Sequence, residues 1–114
     1  MNRAGELRHR VTVFTPHTAF DDIGMAGNEY EVLRTIWAKI VPASGRNETL
    51  EGDVERMEVT HRVFIRTAAL PELSPDMYLT YRGQRYDIQY FMPVYNQRGW
   101  TEIGCTMVVE KYGL

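Results

Sequence analysis

The sequence predicts an all-β domain: a small antiparallel β-barrel or sandwich with one long loop carrying a short helix. Three observations carry that expectation. Runs rich in β-branched and aromatic residues recur at short spacing, glycine and proline punctuate them, and a glycine turn signal joins two of them into a hairpin. Short strands separated by such turns close into a barrel or stack as a sandwich. The chain of 114 residues has the size of one domain, 1–114, and no internal repeat or low-complexity segment divides it.

Taken in order, "RVTVFT", Arg10–Thr15, is the first strand and is expected to stop at Pro16, which has no amide hydrogen for a ladder. "TAFDDIGMAGN" follows as a turn or loop. Its Asp21, Asp22, Asn28 and Glu29 lack the alternating spacing of a calcium loop and read as solvated turn residues. "YEVLRTIWAKIV", Tyr30–Val41, is strand-like and ends at Pro42. There Ile36, Trp37, Ile40 and Val41 interrupt the alternation, so both faces are expected to be covered, one of them by another subunit.

The segment Pro42–Met57, "PASGRNETLEGDVERM", is the one long stretch without strand character. Leu50, Val54 and Met57 fall at helical spacing and predict a short helix capped by Ser44 or Asn47, with Gly52 weakening it by about 1 kcal/mol. "EVTHRVFIRT", Glu58–Thr67, returns to alternation: Val59, His61, Val63 and Ile65 share one face, Thr60, Arg62, Phe64 and Arg66 the other. "LPELSP" is a proline-punctuated turn. In "MYLTYRGQRYDIQYF", Gly83 and Gln84 suit a type II′ hairpin turn, which would set Tyr81 close to Tyr86 across the hairpin. "WTEIGCTMVVEKY" supplies the last strand.

The composition narrows the function classes. A net charge of -2 gives no general attraction to nucleic-acid phosphate, although local basic patches remain open. Cys105 is the only cysteine, so no intrachain disulfide forms, and its alternating context predicts a small buried apolar side chain. The charged N-terminus lacks the apolar core of a signal peptide, and no apolar run nears the roughly 18 residues that span a bilayer. A cytoplasmic, reducing compartment and no membrane partner are expected.

The chemistry-bearing residues are scattered. His9, His17 and His61 fall in no metal-ligand spacing, and Ser44 has neither a nucleophile elbow nor a neighbouring base, so it reads as a cap. His61 has no catalytic partner in its own strand and reads as part of a wall. Tyr78, Tyr81, Tyr86, Tyr90 and Phe91 beside Arg82 and Arg85 could stack single-stranded nucleic acid, but cross-strand packing explains the same residues. No catalytic residue, cofactor or metal is therefore expected.

The order of five blocks carries a resemblance: "GELRHRVTVFTP" at 5–16, "DDIG" at 21–24, "TIWAKIVPASGR" at 35–46, "VTHRVFIR" at 59–66 and "YRGQRYDI" at 81–88. Together they resemble the phage head-tail joining proteins, the head-completion or stopper proteins of long-tailed phages and prophages. Tyr30 stands where that family often has tryptophan, and Asn47 precedes Glu48 where it often has an acidic residue directly after the "SGR" block.

The resemblance implies a small β-barrel with a long loop, assembled as a usually dodecameric ring below the portal and its adaptor, and a monomer when isolated. It implies that the ring retains packaged DNA, touching it transiently and without sequence specificity, and that it offers a surface to a tail-completion protein. It implies no enzymatic activity and no cofactor, and places the protein in the host cytoplasm during assembly and then at the virion neck. On this reading Arg46, Asn47, Glu48, Leu50, Glu51 and Asp53, in the loop at about 42–57, are the channel-closing candidates. Trp37, Tyr81 and Tyr86 are the candidates for subunit or core contacts. A tail-terminator or other neck protein is the nearest alternative, and an oligonucleotide-binding barrel a more distant one.

Overall fold

The computed structural model describes residues 4–17, 29–43, 48–49, 56–57 and 59–108. Six strands form a closed antiparallel barrel: β1 (His9–His17), β2 (Glu29–Pro42), β5 (His61–Arg66), β6 (Tyr78–Tyr81), β7 (Gln84–Pro93) and β8 (Trp100–Val108). Around the barrel they run β1-β2-β5-β8-β7-β6. Two short strands, β3 (Glu48–Thr49) and β4 (Arg56–Met57), make a separate two-stranded sheet between β2 and β5. The expected all-β barrel is what the chain forms.

The period of two in a strand decides the interior. Val11 and Val13 of β1, Ile36 and Ala38 of β2, Val63 and Ile65 of β5, Leu79 of β6, Tyr86 and Ile88 of β7, and Ile103 and Cys105 of β8 point inward and are buried. Leu70 and Met77, from the connection between β5 and β6, pack on the same core at one end. His61 shares the inward face with Val63 and Ile65, as its alternation requires. Cys105 is fully buried, and its apolar surroundings push the thiol up to about 12.

Two irregularities bend the wall. The register between β1 and β2 shifts between Val13 and Phe14, and that between β7 and β8 between Ile88 and Tyr90. An extra residue on one strand sharpens local curvature, which a six-stranded barrel needs. After the second shift Tyr90 stands opposite Gly104 on the outer wall. A Cβ at Gly104 would fall inside the Tyr90 ring, so the glycine is what lets the ring lie flat on β8. The Tyr90 hydroxyl then donates to Glu102 at 2.7 Å.

Three expectations need correction. β1 does not stop before Pro16 but continues to His17, with Pro16 opposite Tyr30. β6 flanks β1 only at Thr12–Phe14, so beyond that point no described strand flanks Pro16 on its second side, and its missing amide hydrogen costs no ladder bond there. The hairpin turns at Arg82 and Gly83, both with positive φ (52° and 78°), which is a type I′ turn, and Tyr81 pairs with Gln84. The expected turn one residue later would have set Arg82 directly opposite Arg85, two like charges in contact. The observed register pairs Leu79 with Tyr86, both inward, and makes Tyr81 and Tyr86 diagonal neighbours.

The third correction concerns the long loop. Where a short helix was expected, its described residues are extended, with Glu48 opposite Met57 and Thr49 opposite Arg56. At these four residues backbone groups are paired across the segment and not along a helix. Ser44, Asn47, Leu50, Gly52 and Val54 lie outside the described residues.

Gly104→Ala is expected to destabilise the barrel by about 1–3 kcal/mol, the cost of forcing an atom into a filled site. Adding Tyr90→Ala removes the clash, so the double variant should lose less than the sum of the singles in urea unfolding. Strict additivity would show that Tyr90 does not rest on Gly104.

Candidate functional site

The insertion between β2 and β5 leaves the barrel at the end where β2 finishes and β5 begins. Its base is fastened at both sides. The amide of Ala43 donates to the carbonyl of Thr60 at 2.8 Å, continuing the ladder past the Pro42–His61 pair. Thr60 in turn donates its amide to the carbonyl of Cys105 at 2.9 Å. Its hydroxyl accepts from the amide of Met107 at 2.7 Å and lies 3.0 Å from His61 Nδ1 and 3.3 Å from the Cys105 carbonyl. One threonine thus ties β2, β5 and β8 together at the root of the loop. In "EVTHRVFIRT" Thr60 reads only as an outward-facing polar residue, so alternation alone could not find it.

The same end of the barrel is plugged by two imidazole–phenol pairs. His61 meets Tyr86 edge-on at 5.2 Å between ring centroids, and His9 meets Tyr81 at 5.1 Å. His9 Nδ1 also accepts the amide of Ile40 at 3.2 Å. Burial disfavours the charged imidazolium and lowers the pKa of His61, and it raises that of the Tyr86 hydroxyl. Tyr86 is therefore a core residue, and Tyr81 is half-buried against the core. His9 is held by packing and a backbone amide, His61 by packing and the Thr60 hydroxyl.

Of the channel-closing candidates, Glu48 lies on β3 opposite Met57. Arg46, Asn47, Leu50, Glu51 and Asp53 lie outside the described residues. Trp37, offered as a core or subunit contact, is on the outer wall of β2, 50 % exposed, with the Arg10 guanidinium 5.2 Å from its ring centroid. It is not in the core. Tyr30 and Val32 are exposed further along the same strand.

The outer wall also holds an aromatic cluster. Phe14 stacks on Tyr78 at 4.7 Å with the rings nearly parallel, and Tyr30 meets Tyr78 edge-on at 4.9 Å. Arg85 covers Tyr78 at 3.9 Å and bonds Asp87 at 2.7 Å, which raises the guanidinium pKa further. The sequence-level stacking platform does not assemble. Tyr78 and Arg85 are outside, Tyr86 is inside, Tyr90 lies over Gly104, and Phe91 lines a groove of about 210 Å³ with Leu70, Leu73, Met92 and Pro93. No acid or base lines that groove. Among the described residues, no three His, Cys, Asp or Glu side chains come together as metal ligands would.

The family model for the phage head completion protein matches residues 2–108. The chain belongs to the phage head completion protein family. No curated protein matches it. Its fold is similar to the solution structure of protein SF1141 from Shigella flexneri 2a, with a TM-score of 0.76 and 24 % identity over 96 % of this chain and 100 % of that one. As a head completion protein the chain has a structural role in the phage head, among the other proteins of the virion head and tail. No helix of the described residues is long and apolar enough to cross a membrane.

His61 gives this head completion protein a pH signature. Above about pH 6.5 the ring is neutral in both folded and unfolded chains. As the pH falls below that value the unfolded chain takes up the proton first, so stability should drop until the lowered folded pKa is passed. His61→Gln should flatten that part of the stability profile in urea titrations at pH 5–7.5. An unchanged slope would mean that His61 titrates as if exposed.

Proposed function

We propose that this head completion protein is a single-domain subunit of the head-tail connector, forming a ring below the portal and adaptor. In this reading the ring closes the DNA channel and offers the tail its docking surface. The observation that carries it is the insertion between Ala43 and Thr60, a long polar segment anchored to a closed barrel by hydrogen bonds at its root. A rigid frame with one long loop is how a subunit positions a functional segment. In a ring, identical loops directed at the axis meet one another and obstruct the channel.

The loop's chemistry supports a gate more than a grip. Residues 42–57 hold four carboxylates, Glu48, Glu51, Asp53 and Glu55, against Arg46 and Arg56. An acidic excess disfavours lasting contact with DNA phosphates, which suits transient, sequence-independent passage. A ring built by head-to-tail contacts needs two different surfaces on each subunit, and the exposed Trp37 is a candidate for one of them. The protein would be made in the host cytoplasm and act at the virion neck. A tail-terminator role would use the same fold, and docking to purified heads or purified tails separates the two.

Replacing residues 46–55 with a short Gly/Ser linker should leave the barrel folded and able to join heads, while packaged DNA becomes accessible to nuclease. Heads that keep their genome with the shortened protein would assign channel closure to another element. Trp37→Ala should cost the isolated chain less than the roughly 3–5 kcal/mol of a fully buried ring, since the residue is 50 % exposed. The same variant should reduce incorporation into particles; wild-type incorporation would remove Trp37 from the subunit contact.

A further inference from the structure

The barrel is closed, but the ribbon formed by the start of β2 and the end of β1 is not. On its β5 side, β2 pairs with β5 only over Lys39–Pro42, and the next element along β5 is the 3₁₀ turn Thr67–Ala69, which is not a strand. Arg34 bridges that gap to the Ala69 carbonyl at 3.2 Å and to the Glu72 carboxylate. Among the described residues no strand covers Glu29–Leu33 on this side.

The two edges of the ribbon differ in a way that matters. The β1 edge beyond Phe14 carries Pro16, which has no N–H to offer and so is guarded against strand addition. Among the described residues the β2 edge, Glu29–Leu33, has no such guard. Because Pro16 cannot donate to Tyr30, their pair is of the type that exchanges no hydrogen bonds, and the alternation of an antiparallel ladder then assigns the rest. Glu29 and Glu31 direct their backbone groups to β1. Tyr30 and Val32 direct theirs outward, to the free edge.

We infer that the edge Glu29–Leu33 of β2 is a strand-addition site for an extended segment of another virion polypeptide in which basic and apolar residues alternate. The inference rests on the connector reading for the source of that polypeptide, and on the edge itself for its chemistry. An added strand over these residues would run roughly 17 Å, at about 3.4 Å per residue. One face of the edge is acidic, with exposed Glu29 and Glu31. The other is apolar, with exposed Tyr30 and Val32 beside Phe14 and Tyr78. A strand with lysine or arginine opposite the glutamates and apolar residues opposite Tyr30 and Val32 satisfies both faces.

A second copy of this chain fits less well. Two β2 edges meeting about a two-fold axis would bring Glu29 and Glu31 against the same residues, like charge on like charge. Within the described residues β5, which sets Arg62 and Arg66 on one face and Val63 and Ile65 on the other, is already paired to β2 and β8.

The test is residue-resolved amide exchange on the free chain and on purified virions. In the free chain the amides of Tyr30 and Val32 should exchange as in an exposed loop, while those of Glu29 and Glu31 are protected by β1. In virions the first pair should slow by at least about tenfold. Val32→Pro, which removes one outward N–H, should keep the free barrel's melting profile and lose incorporation into particles. If that variant misfolds, the Glu29→Lys, Glu31→Lys double variant serves instead, with reduced incorporation expected. Fast exchange at Tyr30 and Val32 in virions that contain the chain would overturn the inference and leave the connector reading intact, as would cross-linking of residue 32 to another copy. A chain absent from virions would sink the connector reading, and this inference with it.

Discussion

Closure of the sheet rests on three residue pairs, Thr12–Thr80, Val13–Leu79 and Phe14–Tyr78, through which β1 meets β6. Without them the strands would be an open meander with β1 and β6 as bare edges, and the inward side chains of both would face water. The pairing is short, so packing carries what hydrogen bonding does not. Val13 and Leu79 are fully buried within the barrel, and Phe14 and Tyr78 stack on its outside. The same contact fixes how far β1 belongs to the barrel. Past Phe14 it leaves β6, which is why Pro16 is tolerated there and why the ribbon has free edges at all.

The opposite end obeys a different constraint. An insertion as long as 43–60 costs little in loop entropy, since that cost grows only logarithmically with length. It does threaten to fray the strands it joins. Thr60 answers that threat by bonding Ala43, Cys105 and Met107, so the root of the loop belongs to the ladder of three strands. The two histidine–tyrosine contacts fill the space beneath it with rings that pack like core residues and carry polar atoms for the backbone and Thr60.

The fold class and most strands were legible because β-branched and aromatic runs, once in register, can hide only one face. Val11, Val13, Val63, Ile65, Ile103 and Cys105 are where alternation alone places them. Three things were not legible. The observed hairpin turn lies one residue earlier than the one the sequence suggests, because glycine at the first central position and glycine at the second are both good signals, and the Arg82–Arg85 repulsion favours the second. The Tyr90–Gly104 contact depends on a register shift that no local pattern announces. Thr60 acts through partners some 45 residues away in sequence, at Cys105 and Met107, which a strand pattern cannot reveal. The aromatic residues of "YRGQRYDIQYF" misled for a related reason: neighbours in sequence on a strand are opposites in space, so a crowded run disperses to both sides of a wall.

The distribution of exposed apolar surface argues for what the barrel is for. A monomer with no partners has no need of Tyr30, Val32, Trp37, Met92 and Tyr95 in water, and each is more than a third exposed. They do not form one patch. Tyr30, Val32 and Trp37 follow β2, whereas Met92 and Tyr95 lie on β7 and the turn after it, one strand removed from the far side of β5. A two-fold dimer would concentrate such residues in a single self-complementary surface. Surfaces separated around a barrel instead suit contacts with different neighbours on different sides, and a head completion protein that lies among other virion proteins has such neighbours. Closed walls then become an advantage in their own right: among the described barrel strands the edges outside the β1–β2 ribbon are paired, so contacts along the wall are chosen by side chains, which limits the number of ways a subunit can be assembled wrongly.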